Sequence, residues 1–227
     1  MTYKEYGVIE NHMLGHMRDA AHDRHHIYRV LCSAVDIAAH EENVDMDVLI
    51  AASLLHDIGR HKQAEDPNVC HAQAGSLMAY DFLLSIKWSE DRARHVKDCV
   101  STHRYRADNP PKSLEAKILF DADKLDAAGA VGIARTLIYG GQTGEPLYLV
   151  DENGEVVTAG GGAEFTTFMQ EYNYKLKNLY DSFHTKRARE IALERKKHAS
   201  AFYDGLYEEV GRAYKSGMIR ISEMLKG

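Results

Sequence analysis

Apolar residues recur at three- and four-residue intervals along most of the 227 positions, and only four prolines interrupt them, two of these adjacent at Pro110-Pro111. A proline costs a helix interior about 3 kcal/mol. Its scarcity, joined to that spacing, leaves packed amphipathic helices as the chain's main route to a core. Ile27, Val30, Leu31, Ala34, Val35 and Ala38 place a helix over 23–40. A second is expected over 48–58, capped by Asp45 or Asp47 and stopped at Gly59, and a third over 71–86. A fourth, over 89–104, ends in the loop 107–111, and a fifth follows Ser113 over 116–127, continuing or restarting over 131–139. The fold class is all-α, as one domain over 1–227.

Segment 140–162 differs in kind. It holds seven glycines, and Leu147 to Val150, Asp151-Glu152-Asn153-Gly154 and Val156-Val157 have the pattern of a small hairpin around an Asn-Gly turn. It is expected as an insertion over 140–163 between a core at 15–140 and C-terminal helices over 164–227, serving as a lid or as a plain surface hairpin. Beyond it, Phe165, Phe168, Met169, Tyr172, Leu176, Leu179, Tyr180 and Phe183 mark one helical face. Ala188, Ile191, Ala192, Ala199, Phe202, Leu206, Tyr207 and Val210 mark another. Such aromatic stripes read as core, with a homodimer through these helices as a further expectation.

Charge and cysteine usage remove several classes of function. The formal net charge of −6 argues against an extended nucleic-acid surface, and the basic run from Lys186 to Lys197 reads as a solvated face. No apolar run approaches the ~18 residues of a membrane span, and the N-terminus lacks a secretory h-region. Cys32, Cys70 and Cys99 form neither a disulfide framework nor a CxxC site, so buried thiols in the cytoplasm are expected. Gly160-Gly161-Gly162 lacks the Lys-Ser/Thr of a P-loop, and neither a G-x-S-x-G elbow nor an H-E-x-x-H pair occurs.

The chemistry lies in charges placed on faces that should enter the core. Thirteen histidines are present, and histidine is the commonest metal ligand. His56 shares a helical face with Leu49, Ala52 and Ser53, with Asp57 beside it. Asp123 and Asp126 align with Leu119 and Ala122 at i, i+3, i+4 and i+7. Ionisable groups on such faces are costly unless paired or bound to a metal. An imidazole and a carboxylate together suit Mn²⁺, Fe²⁺, Zn²⁺, Ni²⁺ or Co²⁺, with Mg²⁺ as a further candidate.

His26 in His-Ile-Tyr-Arg-Val, His56-Asp57 in Ala-Ala-Ser-Leu-Leu-His-Asp-Ile-Gly-Arg, and Asp123 in Asp-Ala-Asp-Lys-Leu-Asp resemble, in that order, the HD-domain metal-dependent phosphohydrolase superfamily. The stand-alone bacterial and archaeal HD hydrolases are the most similar in length, and the resemblance covers about residues 15–140. It implies a helical HD bundle with His26, His56, Asp57 and Asp123 as metal ligands. His26 is chosen over His22 and His25 by its register before Arg29-Val30, and Asp123 over Asp121 by the lysine that follows it. His71 and His103 are implied as ligands of a second ion, with Asp57 bridging, or as contacts to substrate phosphate. Lys124, Arg60, His61, Arg104 and Arg106 are candidates to balance phosphate charge, and Asp126 to relay protons.

The implied reaction is hydrolysis of a phosphoester in a nucleotide or similar small metabolite by a metal-activated water. Two other readings stay open: a di-iron HD oxygenase using O₂, and a non-catalytic nucleotide-binding module.

Overall fold

The computed structural model describes residues 1–17, 24–104, 109–159 and 167–226, and these gather into two compact units. Unit 1 comprises Met1–Asp126 and Phe183–Arg189; unit 2 comprises Ala127–Ser182 and Glu190–Gly227. The described residues are all-α, without a regular strand.

Unit 1 is built around a helix with no polar face. In α3 (Met46–Leu55) every residue from Val48 to Leu55 except Ile50 is buried. Such a helix must be enclosed on all sides. It is covered by α1 (Tyr3–Leu14), α2 (Arg24–Ala38), α5 (His71–Ser85), α6 (Glu90–Thr102) and α7 (Leu114–Asp126). Asp45 caps α3, its carboxylate accepting from the backbone N–H of Asp47 and Val48 at 3.1 Å each. Ser113 supplies the same service to α7, accepting from Ala116 N–H at 3.1 Å.

The helix expected over 48–58 stops at Leu55, because His56 bends its ring back to the Ser53 carbonyl and 56–59 form a turn. The short α4 (Arg60–Glu65) follows. Gly59 is required there by space alone. A Cβ on it would lie 2.3 Å from the His71 carbonyl oxygen and 2.5 Å from the Gly75 nitrogen. Only hydrogen lets α5 approach the 56–59 turn so closely.

In unit 2, α8 (Gly129–Thr143) runs further than the 131–139 expected and takes in Gly140 and Gly141. The hairpin is reduced to one antiparallel bridge, Val150 to Val156, closed by Asp151 N–H to the Glu155 carbonyl at 2.9 Å and by Gly154 at φ +77°. The Asp151 carboxylate also accepts from the N–H of Asn153 and Glu155, which satisfies the turn locally. Gly160, Gly161, Gly162 and Phe165 lie outside the described residues. The first aromatic stripe is not one helix but α9 (Phe168–Tyr174) followed by a 3₁₀ segment, Leu176–Asp181. The last element, α10 (Lys186–Lys226), has 41 residues, begins in unit 1 and continues through unit 2. Val156, Met169 and Val210 form a small core in unit 2. No helix among the described residues is long and apolar enough to cross a membrane.

The cysteines differ from the uniform burial expected. Cys99 is buried, Cys70 half-buried and Cys32 exposed.

Candidate metal centre

All the described residues of the candidate centre belong to unit 1. His56 and His103 occupy the C-cap positions of α3 and α6, and both use one local device. Each donates Nδ1–H to the carbonyl three residues back, Ser53 at 2.8 Å and Val100 at 2.7 Å. That bond satisfies a helix-end carbonyl and turns the Nε2 lone pair out past the helix terminus. His26, on α2, donates Nδ1–H to Asp126 at 2.7 Å. His71, the first residue of α5, donates its own to the Gln63 side-chain oxygen. With each Nδ1 committed as donor, each Nε2 is an acceptor whenever its ring is neutral.

These acceptors converge. The Nε2 atoms of His26 and His56 stand 3.3 Å apart, as do those of His71 and His103. Between the pairs lies the Asp57 carboxylate. Its Oδ2 is 3.4 Å from His26 and 3.7 Å from His56, and its Oδ1 is 3.4 Å from His71 and 3.5 Å from His103. Asp123 Oδ1 completes the first group at 3.5 Å from His26 and 3.8 Å from His56. Two sets result, His26–His56–Asp123 and Asp57–His71–His103, and within each the ligand atoms lie within 4.8 Å of one another.

Lone pairs facing lone pairs in a buried space repel unless a cation or proton stands between them. The four imidazoles and Asp57 are 3% exposed or less, and Asp57 Oδ1 is a buried acceptor with no hydrogen-bond partner. An orphaned carboxylate oxygen aimed between two imidazole nitrogens fits a divalent cation. The donor set of imidazole and carboxylate suits first-row transition metals.

The electrostatics favour ligation at Asp57, His56 and His71 and set His26 apart. Burial would raise Asp57, but the Arg60 guanidinium and the surrounding imidazoles hold it well below the usual carboxylate range. Burial lowers His56 to about 4 and, reinforced by Arg60, lowers His71 to about 2, so both rings are neutral and ready to ligate near pH 7. Burial also disfavours His26⁺, but the carboxylates of Asp126, Asp57 and Asp123 overcome it and raise this ring to about 9, so a cation that binds here must displace its proton near pH 7. Asp123 is held low by His56 and His26 against its own desolvation. Its side chain is 24% exposed, more than that of any other residue in the two sets.

Other expected site residues are placed differently. Asp126, the expected proton relay, accepts from His26 and from Arg29, at 2.6 Å (Nε) and 3.0 Å (Nη2). Arg60 donates Nε–H to Asp57 Oδ2 at 2.8 Å. Lys124 Nζ lies 4.1 Å from the Phe120 ring centroid, and burial lowers its ammonium to about 8. His61 bonds the Ile58 carbonyl at 3.0 Å and Arg104 the Cys70 sulfur at 3.8 Å. Arg106 and His22 lie outside the described residues. His25 is exposed. Asp121 is turned away, accepting from the backbone of His184 and Thr185 and from the Thr185 hydroxyl at 2.7 Å.

Comparison with known proteins identifies the family. The HD-domain family model matches residues 24–128, which include every residue of both sets. A Bacillus subtilis (strain 168) protein, the uncharacterized protein YpgQ, is 32% identical over 183 residues, 78% of each chain. The chain belongs to the HD-domain family. Among solved structures, B. subtilis YpgQ in complex with ADP superposes with a TM-score of 0.71 at 27% identity, covering 91% of this chain and 95% of that one. An HD-superfamily hydrolase from Bacillus thuringiensis gives 0.64 at 26% identity over 91% and 95% of the two chains. A predicted HD superfamily hydrolase from an uncultured Thermotogales bacterium gives 0.61 at 29%, over 91% and 92%. Sequence reasoning about this HD protein missed Arg29 and Gln63, because a polar residue on a half-exposed position carries no periodic signal.

Proposed function

We propose that this HD protein is a metal-dependent phosphohydrolase that cleaves a phosphoester of a nucleotide or similar small metabolite. The observation that carries it is the Asp57 carboxylate lying between two imidazole pairs, its Oδ1 buried and unpartnered. His26, His56, Asp57 and Asp123 would hold one divalent ion, and His71 and His103, with Asp57 shared, a second. A bound divalent cation supplies Lewis acidity and brings the pKa of a coordinated water from 15.7 toward about 7.

The chain's own groups do the rest. Arg60 fixes Asp57 in the orientation that lets one carboxylate edge face each histidine pair. Asp126, held by Arg29, keeps the His26 proton on Nδ1. Lys124, Arg60, His61, Arg104 and Arg106 are the candidates to offset negative charge on non-bridging phosphate oxygens. The nucleotide class is supported by the ADP complex of the similar B. subtilis protein. The distal part of α10 supports a homodimer. Tyr214, Met218, Ile221 and Leu225 recur at four, three and four positions and stay 37–82% exposed, the spacing of a coiled-coil seam.

The test is a metal-by-substrate matrix on chelator-free protein, with Mn²⁺, Ni²⁺, Co²⁺, Zn²⁺, Fe²⁺ and Mg²⁺ against nucleoside mono-, di- and triphosphates and sugar phosphates. Release of phosphate or pyrophosphate under both air and argon is the expected result. Two bridged ion sets also fit a di-iron centre, and turnover that needs Fe²⁺ and O₂ would replace the hydrolase with an oxygenase. Tight nucleotide binding with no turnover would leave a binding module.

A further inference from the structure

The four imidazoles are all anchored through Nδ1, but by unequal partners. His56 and His103 are held by carbonyls of their own helices, and no side-chain substitution removes those. His26 is held by a carboxylate that is itself held by an arginine. His71 is held by the neutral amide oxygen of Gln63, which comes from a different element, the six-residue α4. The two sets also differ in charge. The first includes Asp123 and shares Asp57, whereas the second shares Asp57 alone.

Both asymmetries act in one direction. A carboxylate partner on Nδ1 raises the basicity of the ligating Nε2, and an amide does so less. One shared carboxylate attracts a dication less than two do. The Asp57–His71–His103 set is therefore the weaker one, and the ring most open to loss of aim within it is His71.

We propose that Gln63 is a positioning residue that sets occupancy of the weaker ion set, by fixing the His71 tautomer and pointing its Nε2 toward Asp57 Oδ1. This rests on the metal-centre reading given under the proposed function. The partly exposed Gln63 is not proposed to touch substrate.

The test is Mn²⁺ titration of the apo protein by calorimetry, with electron paramagnetic resonance of the loaded form, for the wild type, Gln63→Ala and Gln63→Glu. The wild type is expected to bind two ions in unequal steps and to show the exchange-coupled signal of a neighbouring Mn²⁺ pair. Gln63→Ala should leave the first step unchanged, weaken the second by about 10–100-fold, and lose the coupled signal at matched Mn²⁺. Gln63→Glu restores an acceptor and should recover the second step or tighten it. A general structural defect would weaken both steps and would not be rescued by glutamate, so that pattern overturns the assignment. So does a Gln63→Ala protein that binds both ions like the wild type. A wild type that binds one ion overturns this inference and leaves a one-ion centre standing; a wild type that binds none overturns the centre itself.

Discussion

Asp126 separates building the centre from performing the chemistry. Its carboxylate meets His26 Nδ1 at 2.7 Å and Arg29 Nε at 2.6 Å. Asp126→Asn should keep the fold and weaken binding of the first ion by about 10–100-fold, the usual effect of losing a partner behind a metal-bound histidine. Equilibrium dialysis against Mn²⁺ would read this, and unchanged affinity would remove Asp126 from the account. Cys99 carries the pH prediction. Burial pushes its thiol up from 9 to about 12. A group whose folded value is raised lends stability below its unfolded value and loses it as pH rises through the folded one. Wild-type stability should therefore fall by about 1.4 kcal/mol per unit from pH 9 toward pH 12 through this group alone. Denaturant unfolding at pH 8 and pH 10.5 should show a smaller decrement in Cys99→Ala. Equal decrements would contradict it. Among single side chains, His56, Asp57 and Asp123 were legible because ionisable residues stood where a helical period demanded apolar ones, whereas His26 was legible only through the resemblance to the HD family. Gln63 and Arg29 were not, since their work depends on which ring a distant helix brings beside them.

Among the helices, the close approach of α5 to the 56–59 turn is what delivers His71 to Asp57. Gly59→Ala places a methyl group where backbone atoms lie at 2.3 and 2.5 Å. Neither atom belongs to a flexible side chain, so α5 must move. The cost should be about 1–3 kcal/mol, the range for overpacking a close contact. Thermal unfolding would measure it, and metal analysis should show loss of the His71–His103 ion before the other. A Gly59→Ala protein with wild-type stability and metal content would contradict this packing. Helices α2, α5, α6 and α7 could be read from spacing because each turns apolar residues to the core, and α3 from its apolar run over 48–55. Helix α1 was missed, its only buried positions being Ile9 and Met13. The break between α9 and the 3₁₀ segment was missed because Phe168, Tyr172, Leu176 and Tyr180 keep the same i, i+4 spacing through it.

For the chain taken entire, α10 has the most open consequence. After Val210 no described residue of this helix is buried, although Met218, Ile219, Ile221, Met224 and Leu225 are apolar. If this stripe pairs with a second copy, light scattering should give twice the chain mass, and Ile221→Glu with Leu225→Glu should return one chain mass at unchanged helicity. A wild type that stays monomeric across the concentration range contradicts the pairing. The all-α class was plain in the sequence because a proline-poor chain with 3.6-residue periodicity has few alternatives. The partition into two compact units was not, since their boundaries at 126, 182 and 189 coincide with no linker composition. The single domain expected from the helical pattern along the chain predicts one cooperative melting transition, and two separate transitions would contradict it.

The shared carboxylate is the point on which both ion sets depend. The most direct measurement is elemental analysis of chelator-free wild type and Asp57→Ala after Mn²⁺ loading and desalting, with circular dichroism to verify the fold. The account predicts stoichiometric metal in the wild type and, in the variant, loss of metal with turnover reduced at least about a thousand-fold, since several kcal/mol of charge stabilisation go with the ion. A folded Asp57→Ala protein that keeps its full metal content would contradict the account.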